Sequence, residues 1–259
     1  MIPEMNIFGI AISWYWLLNI IGVSLGFCLL FPKLKQHFEN KDMAVQVSVL
    51  LIMGGYVFAK LFSTMEYYII NAEPLNIEIF SFFLHKSGMR WYGALLGNLM
   101  MFSILFYKHS KFLSILSDIF LYTFLGSAIG KLGCLLSGHG CYGIETSLPW
   151  GMKFIYGSAP SEVSVHPTPA YDSIIFITAF IIGVFLKKKN VSKKVILLVT
   201  LSFLCFSEFA IEYLRPNPDV LLGLNTGQIC YVLILLILYW MVIRKQRESA
   251  EPYSMISIQ

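Results

Sequence analysis

Apolar residues along this chain come in long blocks rather than in alternation. Ile10 to Phe31, Met43 to Phe62, Trp91 to Tyr107, Phe112 to Leu136, Ser173 to Leu186, Val195 to Tyr213 and Gln228 to Ile243 are separate runs broken by polar stretches. Most approach the roughly 20 residues that a helix needs to cross hydrocarbon. The run from Ser173 reaches that length when it starts at Pro169 or Ala170. Barrel strands would be segments of about ten alternating residues, and these runs do not alternate. The pattern predicts an all-α integral membrane protein of about seven transmembrane helices. With no long linker and no clear repeat, residues 1–259 read as a single transmembrane domain.

Composition agrees. The chain is 57% hydrophobic and 13% charged, against roughly 45–50% and 25% in soluble domains. Charge adds orientation, because cytoplasmic loops collect Lys and Arg. One set of loops holds Lys33, Lys35, Lys41, Lys108, Lys111, Lys187, Lys188, Lys189, Lys193 and Lys194, with Arg244, Lys245 and Arg247 in the tail. The opposite set holds Lys86, Arg90, Lys153 and Arg215. The N-terminus is therefore expected outside and the C-terminus in the cytoplasm. The net charge of +4 is then a topology signal, and no basic patch interleaved with aromatics points to nucleic acid. The first run lacks a basic flank and a small-residue cleavage site, so it reads as a span rather than a cleaved signal. Cys28, Cys205 and Cys230 fall inside runs and read as packing residues.

Two outer loops stand apart from the short lysine-rich ones. Residues 64–90 are mixed and partly amphipathic, and residues 137–168 are rich in Gly, Pro, His and aromatics. The second reads as a structured loop region or short strands, the kind of segment that carries function. Cys134, His139 and Cys141 do not have the spacing of a CxxC pair and lack a fourth ligand, so no metal is expected.

Ionisable groups at membrane depth are costly and are candidate functional residues by default. Lys60, Asp118, Lys131, Asp172, Glu208 and Glu212 lie in or near the ends of runs. Glu208 and Glu212 share a helix face, with Arg215 three residues on. They fit either a helix-stapling network or a polar cavity around a phosphate or a nucleophile. Asp118 reads as structural, and Lys60 fits snorkelling as well as binding. His37, His85 and His109 read as solvated loop residues. His139 and His166, both in the second outer loop, are candidate bases.

The segment Gly130 to Phe154, GKLGCLLSGHGCYGIETSLPWGMKF, resembles the signature of the prolipoprotein diacylglyceryl transferases, including the Leu148-Pro149-Trp150-Gly151 stretch. Further similar segments follow in order: Ile12 to Leu17, Ala59 to Tyr68, Tyr92 to Gly97, His166 to Asp172, Glu212 to Arg215, and Gly227-Gln228. The chain departs from the family pattern at several positions. Tyr92 stands where a proposed catalytic His is usual, Lys60 and Lys131 stand for Arg, Cys134 for Asn, His139 for Glu and Glu208 for Arg.

The resemblance implies a multi-pass protein of the bacterial plasma (inner) membrane that needs no cofactor. It would move a diacylglyceryl group from a phosphatidylglycerol-like phospholipid to the cysteine thiol of a lipoprotein precursor, which docks by its signal peptide. It implies His139, Tyr92, His166 and Glu212 as catalytic candidates. For substrate it implies Lys131, Lys60, Arg90, Arg215, Glu208, Tyr15 and Tyr171. A divergent lipid transferase with another donor or acceptor, or a non-catalytic protein of the same fold, is the alternative. Lys131 is expected to be the main phosphate cation and His139 the proton acceptor, with Glu208, Glu212, Arg215 and Lys131 around one cavity.

Overall fold

A computed structural model describes residues 3–7, 10–74 and 76–254 of the chain. The expected single domain also takes in residues 1–2, 8–9, 75 and 255–259, and the expected outward terminus is residue 1. These lie outside the described residues. A hairpin of β1 (Glu4–Ile7) and β2 (Ile10–Ser13) leads into α1 (Trp14–Phe38), so the first apolar run opens as a strand. Helix α2 (Lys41–Ile70) follows, then the short α3 (Glu78–Ser81), α4 (Trp91–Phe106) and α5 (Phe112–Ser137). Strands β3 (Met152–Phe154) and β4 (Ser161–Val165) pair antiparallel before α6 (Thr168–Lys188) and α7 (Lys193–Glu212). A small hairpin of β5 (Asp219–Leu221) and β6 (Leu224–Asn225) precedes α8 (Thr226–Ser254).

Among the described residues, six helices are long and apolar enough to cross a membrane; α8 contributes Thr226–Arg247. Helix α4 has 16 residues, about 24 Å at ~1.5 Å per residue, against the ~30 Å of hydrocarbon. The second outer loop is structured, as its composition indicated: β3 and β4 pair, and Glu145 bridges Val165.

Small residues set the helix packing. A Cβ on Gly22 of α1 would lie 2.3 Å from the Gly126 carbonyl oxygen of α5. On Gly97 of α4 it would lie 2.1 Å from the Phe58 ring of α2. Such contacts let backbones approach where no hydrophobic force distinguishes lipid from protein. Cys205 and Cys230 are buried, as expected of packing residues. Cys28 instead is exposed on the outward face of α1.

The lysine-rich ends of the helices meet around Asp118, in the first turns of α5. Its Oδ1 pairs with Lys193, and Lys187 Nζ lies 3.5 Å from the same oxygen. His37 corrects its reading as a solvated loop residue: it sits in the last turn of α1, with Nε2 2.9 Å from Asp118 Oδ2. The structural reading of Asp118 is thereby supported.

Candidate functional site

At the other end of the bundle the interior charges assemble. Lys131, in the last turns of α5, places Nζ 2.6 Å from Asp172 Oδ2 in the first turns of α6. Arg215 Nη2 donates to that same oxygen at 2.5 Å. The chain turns back after α7, with Arg215 N–H on the Glu212 carbonyl at 3.2 Å. This lets Arg215 Nη1 reach Glu212 Oε1 at 3.0 Å. Asn217 donates to Glu212 Oε2 at 2.8 Å. Gly227 is required here because a Cβ would lie 2.8 Å from the Glu212 carboxyl carbon. Glu208 Oε2 accepts from the Tyr231 hydroxyl at 3.3 Å and lies 3.9 Å from Arg215. Burial disfavours the Arg215 charge, but Asp172, Glu212 and Glu208 more than offset it, so its pKa rises well above the ordinary guanidinium value.

The cluster backs onto a cavity of about 1100 Å³, just above the ~300–1,000 Å³ usual for small-molecule sites. One part of its wall is apolar, with Val23, Phe27 and Leu30 of α1 and Ile52 of α2. The other part carries Lys131, Arg215, Arg90, Tyr92, Tyr15 and His139. Glu208 and Glu212 are buried behind Arg215 rather than on this wall, so they act on the cavity through the guanidinium.

A third cation reaches the cavity from the start of α4. Arg90 pairs with Glu66 of α2, whose Oε1 accepts from the Tyr92 hydroxyl at 2.9 Å. Burial opposes the Arg90 charge, while Tyr92 and Glu66 raise its pKa. Tyr92 is buried with its proton committed to Glu66, which suits a residue that positions Arg90 better than a base.

His139 follows the Gly138 cap of α5. Gly138 adopts φ +57°, and His139 N–H donates to the Cys134 carbonyl at 3.2 Å, so the chain folds over the helix end. The imidazole stacks on Tyr15 of α1 at 4.1 Å between ring centroids and shares the cavity wall with Cys141. The neighbouring Cys141 thiol raises its pKa above the ordinary value, against the opposing effect of burial.

Three expected site residues lie elsewhere. Lys60 turns away from the cavity wall: its Nζ donates to the Leu84 carbonyl at 2.9 Å, near the Tyr56 and Phe83 rings. It ties α2 to the wide turn at Phe82–Lys86. His166 Nδ1 lies 3.4 Å from the Tyr171 hydroxyl, which accepts from Trp150 at 2.8 Å. That group braces the outer loop off the cavity wall. Conversely, Glu66 escaped the sequence reading because the apolar run stops at Phe62, whereas the helix continues to Ile70. Its signal was a carboxylate six residues beyond Lys60. Asp172 was visible as an intramembrane charge, but its pairing with both Lys131 and Arg215 needed the fold.

A sequence profile of the prolipoprotein diacylglyceryl transferases matches residues 4–244. A phosphatidylglycerol–prolipoprotein diacylglyceryl transferase of Dehalococcoides mccartyi is 28% identical over 256 residues, covering 95% of this chain and 94% of the relative. Its namesake from Clostridioides difficile is 26% identical, covering 86% and 87%. That from Clostridium tetani is 29% identical, covering 82% and 84%. The match runs through the Lys131 helix, the outer loop over it and the Glu212–Arg215 turn, and on that ground the chain belongs to the prolipoprotein diacylglyceryl transferase family.

Proposed function

We propose that this protein transfers a diacylglyceryl group from phosphatidylglycerol to a lipoprotein-precursor cysteine in the cavity between α1, α2, α4 and α5. The observation that carries the reading is one cavity whose wall is apolar on one part, for acyl chains, and carries Lys131, Arg215, Arg90 and the His139 imidazole on another. His139 takes the acceptor thiol proton, because the thiolate is the nucleophile. The thiolate sulfur attacks the glyceryl carbon that bears the phosphoester. A C–S bond forms, the C–O bond breaks, and its electron pair leaves on glycerol phosphate. Lys131 and Arg215 meet the charge growing on that phosphate in a low-dielectric site, where electrostatic stabilisation is strong. Arg90, set by Glu66 and Tyr92, takes the remaining head-group oxygens. Glu212, Glu208 and Asp172 orient the cations.

Thioether formation on a precursor peptide, with phosphatidylglycerol vesicles and purified protein, tests the reading. Turnover that needs phosphatidylglycerol and fails with phosphatidylethanolamine is expected. Turnover only with another donor favours the divergent-substrate alternative, and none with any phospholipid overturns the assignment. Seven spans, with α4 the shortest, leave the lysine-rich ends in the bacterial cytoplasm and the cavity mouth outside; the whole chain is one domain of the inner membrane. A cysteine at position 190 should resist membrane-impermeant label in intact cells. Its labelling from outside overturns the orientation.

A further inference from the structure

The chemistry above leaves two sulfur atoms beside His139 without a role. Cys134 lies in the last turn of α5, and Cys141 lies three residues beyond the Gly138 cap. The turn at Gly138 folds the chain back over the helix end, with His139 N–H on the Cys134 carbonyl at 3.2 Å, and sets both cysteines and His139 on the wall of one cavity. Both line the cavity, both are partly exposed, and both are free thiols. Buried structural cysteines are inert. Thiols in electropositive, partly open surroundings are reactive.

We propose that Cys134 and Cys141 form a thiol–disulfide exchange site in the cavity wall. It takes small-molecule disulfides, closes into an internal disulfide, and thereby lowers transferase turnover. The coupling to turnover rests on the proposed role of His139. The exchange itself does not.

The assignment of roles follows from the neighbours. The neighbouring Cys134, then His139 and Lys131, hold the Cys141 thiol well below the usual thiol range, although its partial burial opposes this. Cys141 is therefore the attacking sulfur. Its thiolate attacks one sulfur of a disulfide RSSR, that S–S bond breaks, and RS⁻ departs. Cys134 then loses its proton to the departing thiolate and attacks the Cys141 sulfur, expelling the second RS⁻. The dithiol loses two electrons and RSSR becomes two thiols; excess reduced thiol reverses the sequence. Closure takes the Cys141 sulfur from His139 and bonds it to Cys134. The imidazole thus loses the partner that sets its protonation. In the proposed orientation the pair faces the outside, where disulfides persist.

The full chain in phosphatidylglycerol vesicles is treated with oxidised glutathione, unfolded in denaturant, alkylated, digested and weighed. The expected result is a Cys134–Cys141 disulfide that resists alkylation while Cys28 alkylates. Turnover falls several-fold and returns with dithiothreitol. Cys134→Ser should stop at a glutathione adduct on Cys141. The Cys134→Ser/Cys141→Ser double variant should keep its own untreated rate when glutathione disulfide is added. Full alkylation of both cysteines after treatment of the wild-type chain overturns the exchange site. A disulfide that forms with turnover unchanged leaves the exchange site standing and overturns its coupling to His139.

Discussion

Two carboxylates, Asp118 on α5 and Asp172 on α6, each gather several cations, and they do so differently. Asp118 spends both oxygens: Oδ2 on His37, Oδ1 on Lys193 and Lys187. Asp172 concentrates Lys131 and Arg215 on Oδ2, and its Oδ1 finds no partner among the described residues. Arg215 Nε and Glu208 Oε1 are likewise unpartnered there. The first cluster ties together α1, α5, α6 and α7 at their lysine-rich ends. The second lies about 20 Å along α5, at ~1.5 Å per residue, and abuts the cavity. Both contain charge in an apolar bundle, so charge alone does not separate staple from site. Access does: Lys131 and Arg215 line the cavity, whereas His37, Asp118, Lys187 and Lys193 do not.

That difference should appear first in turnover. Lys131→Ala is expected to lower kcat/KM by about 10²–10³-fold, the usual cost of one charge-stabilising donor. Its melting temperature should move little, because Arg215 still holds Asp172. Lys131→Arg should retain most activity. A Lys131→Ala protein at wild-type turnover would make the second cluster another staple.

The converse variant lies at the staple. Asp118→Asn removes the acid common to His37, Lys187 and Lys193. Charged hydrogen bonds of this kind contribute about 1.5–3 kcal/mol, so melting in detergent should occur at lower temperature. Turnover per folded molecule should be unchanged. A turnover loss that exceeds the stability loss would mean the two ends are coupled through α5.

Much of this contrast was legible beforehand, for a physical reason. Lipid demands long apolar runs, so six spanning helices could be located, although the first two run on past their expected ends to Phe38 and Ile70, and lysines marked their common end. Boundaries failed where polar residues continue a helix facing protein. Thr64 extends α2 by donating to the Lys60 carbonyl at 2.9 Å, which hid Glu66. Lys131, Arg215, Arg90 and His139 were readable as charged or basic residues near span ends. Their grouping was not, since Lys131 and Asp172 are brought together by the α5–α6 crossing. Lys60 shows the reverse error: its position matched, but its ammonium found a backbone carbonyl.

The smallest expected effect concerns pH and divides the cavity itself. The His139 pKa is raised, chiefly by the neighbouring Cys141 thiol. A base must be neutral to accept the thiol proton. Neutral imidazole therefore accumulates only as pH rises through that raised value, and the rate is lost as pH falls through it. The acid limb of kcat/KM should thus lie above the ~6.5 of a free imidazole. In Cys141→Ser a neutral hydroxyl replaces the acidic thiol, the leading cause of the shift is gone, and the limb should move to lower pH. His139→Gln should abolish the limb and most turnover, while Lys131→Arg leaves the limb in place. A limb that survives His139→Gln assigns the proton to another group, with Lys131 and Arg215 still serving the phosphate. A limb unmoved by Cys141→Ser would mean that His139 titrates independently of the thiol.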